Sequence, residues 1–220
     1  MTTQRSFQSL HIQSLDYRQA VELQEQLLEQ VALNSTDLLM LLEHPATITL
    51  GRRADTRHVL TNPSRLRGLG IELCQAARGG DVTYHGPGQL IGYPLFDLTT
   101  LGRDLHHYLR LLEQVLIDVL AKWDIVAERR SGHTGLWVGA EKIASIGIGV
   151  RHWVSWHGFS LNIGADLSGF SHIVPCGLPG VTMTSMERLL GCSVDKPAVE
   201  QEIIARLSQL FDRTYAGVYD

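Results

Sequence analysis

Lysine is scarce in this chain of 220 residues. Only Lys122, Lys142 and Lys196 occur, the other sixteen basic residues being arginines, so each lysine invites a separate reading. Cysteine is scarce too: Cys74, Cys176 and Cys192 are odd in number and form no CxxC pair. That pattern argues against a disulfide framework and for a reducing, cytoplasmic setting. The longest aliphatic run, Leu38 to Leu42, falls far short of the roughly 20 apolar residues a membrane helix needs, so no membrane span is expected. The ten histidines show neither an HExxH pattern nor close cysteine partners, which speaks against a metal site. A GxSxG nucleophile elbow, a Walker loop and a dinucleotide fingerprint are all missing.

What remains is the composition of a globular domain. Apolar residues make up 44% and charged residues 19%, and a chain of this size buries roughly 70% of its unfolded surface without staples. Nineteen Lys plus Arg against 23 Asp plus Glu give a net charge of -4, against a nucleic-acid or anionic-membrane binder. The first fifteen residues hold Arg5 and several serines but no apolar signal core, and read as a ragged start leading into a strand.

The chain reads as interspersed strands and helices. Phe7, Leu10 and Ile12 suggest a strand; Asp16 then caps a helix bearing Tyr17, Ala20, Val21, Leu27, Leu28 and Val31, ended by Asn34. Strands are expected at 38–43, 47–50, 71–73, 90–96, 135–138, 142–150 and 153–163, the last two as a hairpin. The clearest helix runs from about Arg103 to Trp123 on one apolar stripe. Thr184 with Glu187 suggests a capping box for a short helix closed by Gly191, and Val199, Ile203, Leu207 and Phe211 mark a C-terminal helix. These elements predict an α/β (α+β) fold, a mixed β-sheet core flanked by helices, in one domain over 1–220.

Three segments could carry chemistry. Arg78-Gly-Gly-Asp-Val-Thr-Tyr-His85-Gly-Pro-Gly-Gln89 surrounds polar side chains with glycines that let backbone approach a ligand. Two turns would explain the glycines but not the Arg, Thr, Tyr, His and Gln between them. Lys142 heads a small, apolar strand, Lys142-Ile-Ala-Ser-Ile-Gly147; it either snorkels to water or is a desolvated amine. Ser145, Gly147 and Gly149 alternate onto one face and leave a groove. Cys176 lies in the turn Pro175-Cys176-Gly177, where exposure favours reactivity without establishing it, whereas Cys74 and Cys192 read as small buried hydrophobes.

Taken with His157-Gly-Phe-Ser-Leu-Asn162, these motifs resemble, in order and spacing over about 38–190, those of the lipoate-protein octanoyltransferases. The resemblance implies the fold of the biotin and lipoate protein ligase catalytic domain. It further implies transfer of an octanoyl group from octanoyl-acyl carrier protein to a lysine of lipoyl domains, those of 2-oxoacid dehydrogenases and glycine cleavage H protein. No cofactor is implied, and a monomer is expected. Carried over by position, Cys176 is the thioester nucleophile and Lys142 its acid/base partner. Substrate contacts fall at Arg78, Gly79, Gly80, Asp81, Val82, Thr83, Tyr84 and His85, at Ser145, Ile146 and Gly147, and at Gly158, Phe159 and Ser160. Asp81 stands where the family varies and is given no chemistry of its own.

Elementary chemistry runs parallel. Acyl transfer from a thioester to an amine needs a thiolate, a base and oxyanion donors; with ordinary values of about 8.5 for Cys and 10.4 for Lys, a shared proton favours the amine. Backbone N–H groups near Gly147 or Cys176 are candidate oxyanion donors, and His85 a positioning donor rather than the base. An ATP-dependent lipoate or biotin ligase, and a non-catalytic acyl-binding module, are the alternatives. Residues 51–80 carry six arginines against Asp55 and Glu72, which suggests a basic mouth suited to acidic carriers.

Overall fold

The computed structural model describes residues 5–34, 36–164 and 166–219; of the ragged start expected in the first fifteen residues, 1–4 lie outside them. The chain opens with β1 (Ser6–Ile12), α1 (Tyr17–Leu33), β2 (Thr36–Leu42) and β3 (Thr47–Leu50). It continues through α2 (Pro63–Gly68), β4 (Glu72–Gln75), β5 (Val82–His85), β6 (Gln89–Leu95) and α3 (Leu105–Ala121). Then come β7 (Glu128–Arg130), β8 (His133–Val138), β9 (Glu141–Arg151) and β10 (Val154–Asn162). The final elements are α4 (Met186–Leu190), α5 (Lys196–Phe211) and β11 (Thr214–Val218).

Eight strands form one mixed sheet in the order β11-β1-β2-β6-β10-β9-β8-β7, and three form a small sheet, β4-β3-β5. The expected β9–β10 hairpin is present, with Gly158 opposite Gly147 and Ser160 opposite Ser145. β2 lies inside the large sheet, parallel to β1 and antiparallel to β6. Its unbroken apolar run follows from burial on both faces: Leu39 and Leu41 join the core under α3 and α5, while Leu38, Met40 and Leu42 pack toward α1.

The helices start where the sequence supplies caps. Asp16 accepts from the N–H groups of Arg18 (2.9 Å) and Gln19 (3.4 Å), and Asp104 from that of His107 (2.9 Å). The α3 stripe buries Leu112, Val115, Leu116, Val119 and Leu120; truncating one such leucine to alanine costs about 2–5 kcal/mol. The expected capping box does not form. Ser185, not Thr184, caps α4, its hydroxyl accepting from the Arg188 N–H at 3.3 Å, while the Glu187 N–H bonds Ile163 O. Gly191 closes that helix in the left-handed region as expected. Cys192 is exposed just past it and not a buried hydrophobe, whereas Cys74 is buried. No helix among the described residues is long and apolar enough to cross a membrane.

Candidate active site

A partly open cleft of about 350 Å³ lies between the β9–β10 hairpin and the small sheet. Its loop wall, residues 78–81, is sewn to both sides: Gly79 N–H donates to Ile148 O at 2.8 Å, and Arg52 N–H and Arg53 N–H donate to Arg78 O (3.0 Å) and Gly80 O (3.1 Å).

The sequence predicts no strand between the turns of the Arg78–Gln89 run, yet β5 forms one there, and strand alternation sorts its residues. Thr83 and His85 face the cleft; Val82 and Tyr84 turn into the small sheet's core, Tyr84 against Phe170. These two therefore support the site from behind. Arg78, Gly79, Gly80 and Asp81 line the cleft, as do Ser145, Ile146 and Gly147 from β9 and Gly158, Phe159 and Ser160 from β10. Gly149 does not extend that groove, because the Trp156 indole fills the space beside it.

Lys142 and Cys176 meet because residues 182–184 run beside β9: Lys142 N–H donates to Thr182 O (2.8 Å) and Thr184 N–H to Lys142 O (2.9 Å). The chain then delivers the Pro175–Gly177 turn to the lysine side chain. Lys142 is 1% exposed, so it does not snorkel. Its Nζ donates to Cys176 Sγ at 3.1 Å and Thr134 O at 3.0 Å, and lies 4.6 Å from the Trp137 ring centroid. Gly135 makes room: at φ 112°, a Cβ there would meet Ala144 O at 2.5 Å and Lys142 Cε at 2.9 Å.

Cys176 is half-buried and itself left-handed, at φ 56°, a conformation that costs a non-glycine residue about 1–2 kcal/mol. Gly177 follows at φ 68°, its Cα so close to Asp81 and His58 that a Cβ would strike Asp81 Oδ2 at 2.3 Å. Asp81 is accordingly occupied: one carboxylate oxygen accepts from the N–H groups of Asp55 and Val82, the other pairs with His58 Nδ1 at 2.7 Å. It buttresses the cysteine turn.

Arg78 is buried, its guanidinium held by Thr49 O (2.8 Å), Thr49 Oγ1 (2.8 Å) and Gly79 O (3.0 Å). It therefore adds nothing to the basic surface expected from residues 51–80, and Arg57 is paired with Asp55 at 2.6 Å. Arg52, Arg53, Arg65 and Arg67 are exposed, and Arg53 lines the cleft.

Burial, then the neighbouring charges His44 and Arg78, hold His85 well below the usual imidazole range. Burial lowers His157 to about 3, with Arg78 adding to it, and lowers His44 to about 4. These imidazoles are neutral at physiological pH and too weakly basic to compete with an amine for protons. Tyr17 and Tyr93 line the cleft without being candidates in the sequence, because a helix start and a strand interior carry no spacing signal, and His157, which heads one of the motifs but is given no role there, lines it too. Tyr93 OH and His44 Nε2 lie 2.7 Å apart. No group of three His, Cys, Asp or Glu that could hold a metal occurs among the described residues.

The fold is a mixed α/β sheet whose cleft of about 350 Å³ sets a buried lysine against a half-buried cysteine, and residues 16–208 match the family described as the Lipoyl protein ligase A/B catalytic domain. Among solved structures, the chain is similar to lipoate-protein ligase A bound with ATP, with a TM-score of 0.80 at 14% identity over 99% of this chain and 90% of that one. It is also similar to biotin protein ligase from Aquifex aeolicus, with a TM-score of 0.53 at 13% identity over 96% and 70%. At these identities the likeness concerns the fold alone, which is the one expected. In sequence it is 51% identical to the octanoyltransferase of Gloeobacter violaceus over 168 residues, 71% of this chain and 73% of that protein. It is 42% identical to that of Caldicellulosiruptor saccharolyticus over 212 residues, 95% and 88%. The chain belongs to the octanoyltransferase family.

Proposed function

We propose that this acyltransferase, as one catalytic domain over 1–220, moves an octanoyl group from octanoyl-acyl carrier protein to a lysine of lipoyl domains through a thioester on Cys176. The acceptors are lipoyl domains of 2-oxoacid dehydrogenases and glycine cleavage H protein. The observation that carries this reading is the contact of 3.1 Å between Lys142 Nζ and Cys176 Sγ inside the cleft. The Cys176 sulfur attacks the carrier thioester, the carbon–sulfur bond to the carrier breaks, and the Lys142 ammonium gives its proton to the departing thiolate. The acceptor lysine then attacks the new thioester, its proton passes to the neutral Lys142 amine, and Cys176 leaves as thiolate. The pair ends as it began. The three free cysteines fit a cytoplasmic setting, and a monomer suffices because both members of the pair come from one chain.

An ATP-dependent ligase would need no nucleophilic cysteine, and the likeness to the ligases rests at 14% identity against 42–51% for the octanoyltransferases. The test is incubation with octanoyl-acyl carrier protein, without acceptor or ATP, followed by peptide mapping. One octanoyl mass shift on Cys176 is expected. A shift on Cys74 or Cys192, no shift at all, or transfer only from octanoate with ATP, overturns the reading.

A further inference from the structure

The segment that carries Cys176 is held from outside the cleft by a strap, residues 55–61. After β3 the chain is tied to residues 78–81 and makes one short turn over 56–58, where the Asp55 carboxylate accepts from the Arg57 N–H at 2.9 Å. It then runs against the cysteine segment, Val59 pairing antiparallel with Ile173. On either side of that bridge Val174 N–H donates to His58 O and Leu60 N–H to His172 O, both at 2.8 Å. His58 therefore lies opposite Val174, just before the Pro175–Gly177 turn.

The His58 ring adds a second tie. A carboxylate only accepts, so the contact of 2.7 Å between His58 Nδ1 and Asp81 Oδ2 is a donation by the imidazole. Gly177 rests on this hydrogen bond: a Cβ there would strike Asp81 Oδ2 and lie 2.8 Å from His58 Cε1 and 3.0 Å from His58 Nδ1. Asp81 is itself anchored, its other oxygen accepting from the N–H groups of Asp55 at 3.2 Å and Val82 at 2.7 Å. Such a floor matters because Cys176 and Gly177 are both left-handed, at φ 56° and 68°, in a turn that starts without a side-chain cap. Left-handed backbone at a non-glycine residue persists only where its surroundings over-determine it.

We infer that His58 is a positioning residue for the acyl transfer: its ring holds Asp81, Asp81 supports Gly177, and Cys176 Sγ is thereby kept within reach of Lys142 Nζ. The inference rests on the acyl-transfer reading above. His58 does not line the cleft, so its effect on the reaction runs through the cysteine turn. Lys142 is fixed separately, by its burial and by Thr134 O. The 3.1 Å contact between amine and sulfur therefore opens when the turn shifts. A displacement of about 1 Å between reacting groups costs up to about 100-fold in rate. Binding of the carrier thioester, by contrast, does not depend on His58.

Rapid-quench acylation of Cys176 over a range of carrier-thioester concentrations, together with crystal structures of the variants, tests this. His58→Ala is expected to slow acylation at saturating carrier thioester roughly 10- to 100-fold and to leave the half-saturating concentration near that of wild type. Its crystal structure is expected to show Sγ and Nζ beyond hydrogen-bonding reach. His58→Asn, whose amide nitrogen can stand in the place of Nδ1 and donate to Asp81, is expected to recover most of the rate. Asp81→Ala is expected to slow acylation as well, and adding His58→Ala to it to slow acylation no further, because the two side chains act as one unit. An unchanged rate in His58→Ala, whatever its unfolding temperature, overturns the inference. So does a change confined to the half-saturating concentration, additive losses in the double variant, or a His58→Ala crystal in which Sγ and Nζ stay in contact. The transfer reading fails separately: wild type that forms no thioester overturns that reading, and the Sγ to Nζ distances in wild type and His58→Ala then decide the positioning by themselves.

Discussion

Lys142 Nζ lies 3.1 Å from Cys176 Sγ across 34 residues of chain, with the amine buried and the sulfur half-buried. The amine also donates to Thr134 O, and it faces the Trp137 ring rather than a carboxylate. The contact between amine and sulfur is the one on which the proposed proton exchange rests.

Substituting Lys142 separates charge from proton transfer. Lys142→Arg keeps the charge but cannot release a proton at usable pH. Thioester formation is expected to persist in part while transfer to the acceptor lysine falls by about 100-fold or more, the scale of general-base catalysis; Lys142→Ala impairs both. Rapid-quench measurement of each half reaction checks this, and near-normal aminolysis by the Arg variant removes the base role.

Gly135 can be tested against Gly139. Both have positive φ, at 112° and 56°, but a Cβ at Gly139 meets nothing within 4 Å whereas one at Gly135 meets Lys142 and Ala144. Gly135→Ala is expected to slow Cys176 acylation by about tenfold or more, since small misplacements of a reacting group are costly. Gly139→Ala pays only backbone strain of about 1 kcal/mol and keeps its rate. Equal losses in both would mean that the lysine is not held by this close approach.

Arg52 and Arg53, exposed where the loop wall meets the cleft, are expected to steer an acidic carrier. Reversing both to Glu should raise the apparent KM for the carrier several-fold at low salt and much less at high salt, because exposed charges more than about 10 Å apart are screened at 0.1 M. A salt-independent change would exclude steering.

Acid should weaken the fold through the buried imidazoles His44, His85 and His157. His44 and His157 sit at about 4 and about 3 in the folded chain, against about 6.5 unfolded. The unfolded chain therefore binds more protons in between, so this stability is complete above pH 6.5 and lost as pH falls toward 4. Urea unfolding at pH 7 and 5 should differ by about 2 kcal/mol for each, less the contribution of His157 in His157→Asn. A flat profile from pH 7 to 5 would mean that none of these imidazoles is so buried.

Periodic elements were legible because one face of each is buried: α1, α3 and β2 all follow from their apolar spacing. β5 was not, since Val82–His85 is only four residues among glycines, and its identity as a strand depends on β3 pairing with it. The short, largely exposed strands β7 and β11 carry no burial pattern to read. Lys142 and Cys176 stood out as residue types in unusual settings, yet sequence could not distinguish a snorkelling lysine from a buried one. That distinction depends on residues 182–184 lying against β9, a tertiary fact. Tyr17 and Tyr93 were silent for the same reason, as each enters the cleft only once α1 and β6 are packed.

β11 lies parallel to β1, with Ser6 opposite Thr214, and the Ser9 and Tyr215 hydroxyls meet at 2.8 Å across 206 positions of chain. Asp37 on β2 binds both Arg5 and Arg213, so the same edge is clamped by charge. Contacts of such sequence separation are the slowest to form, because the intervening loop must close before any of its entropy is recovered. The edge of the large sheet is therefore a late event in refolding. Its closure should lag behind the α3 and β9–β10 core, leaving β1 for a time as an open template for strands of other molecules, and the yield of refolding should fall as protein concentration rises.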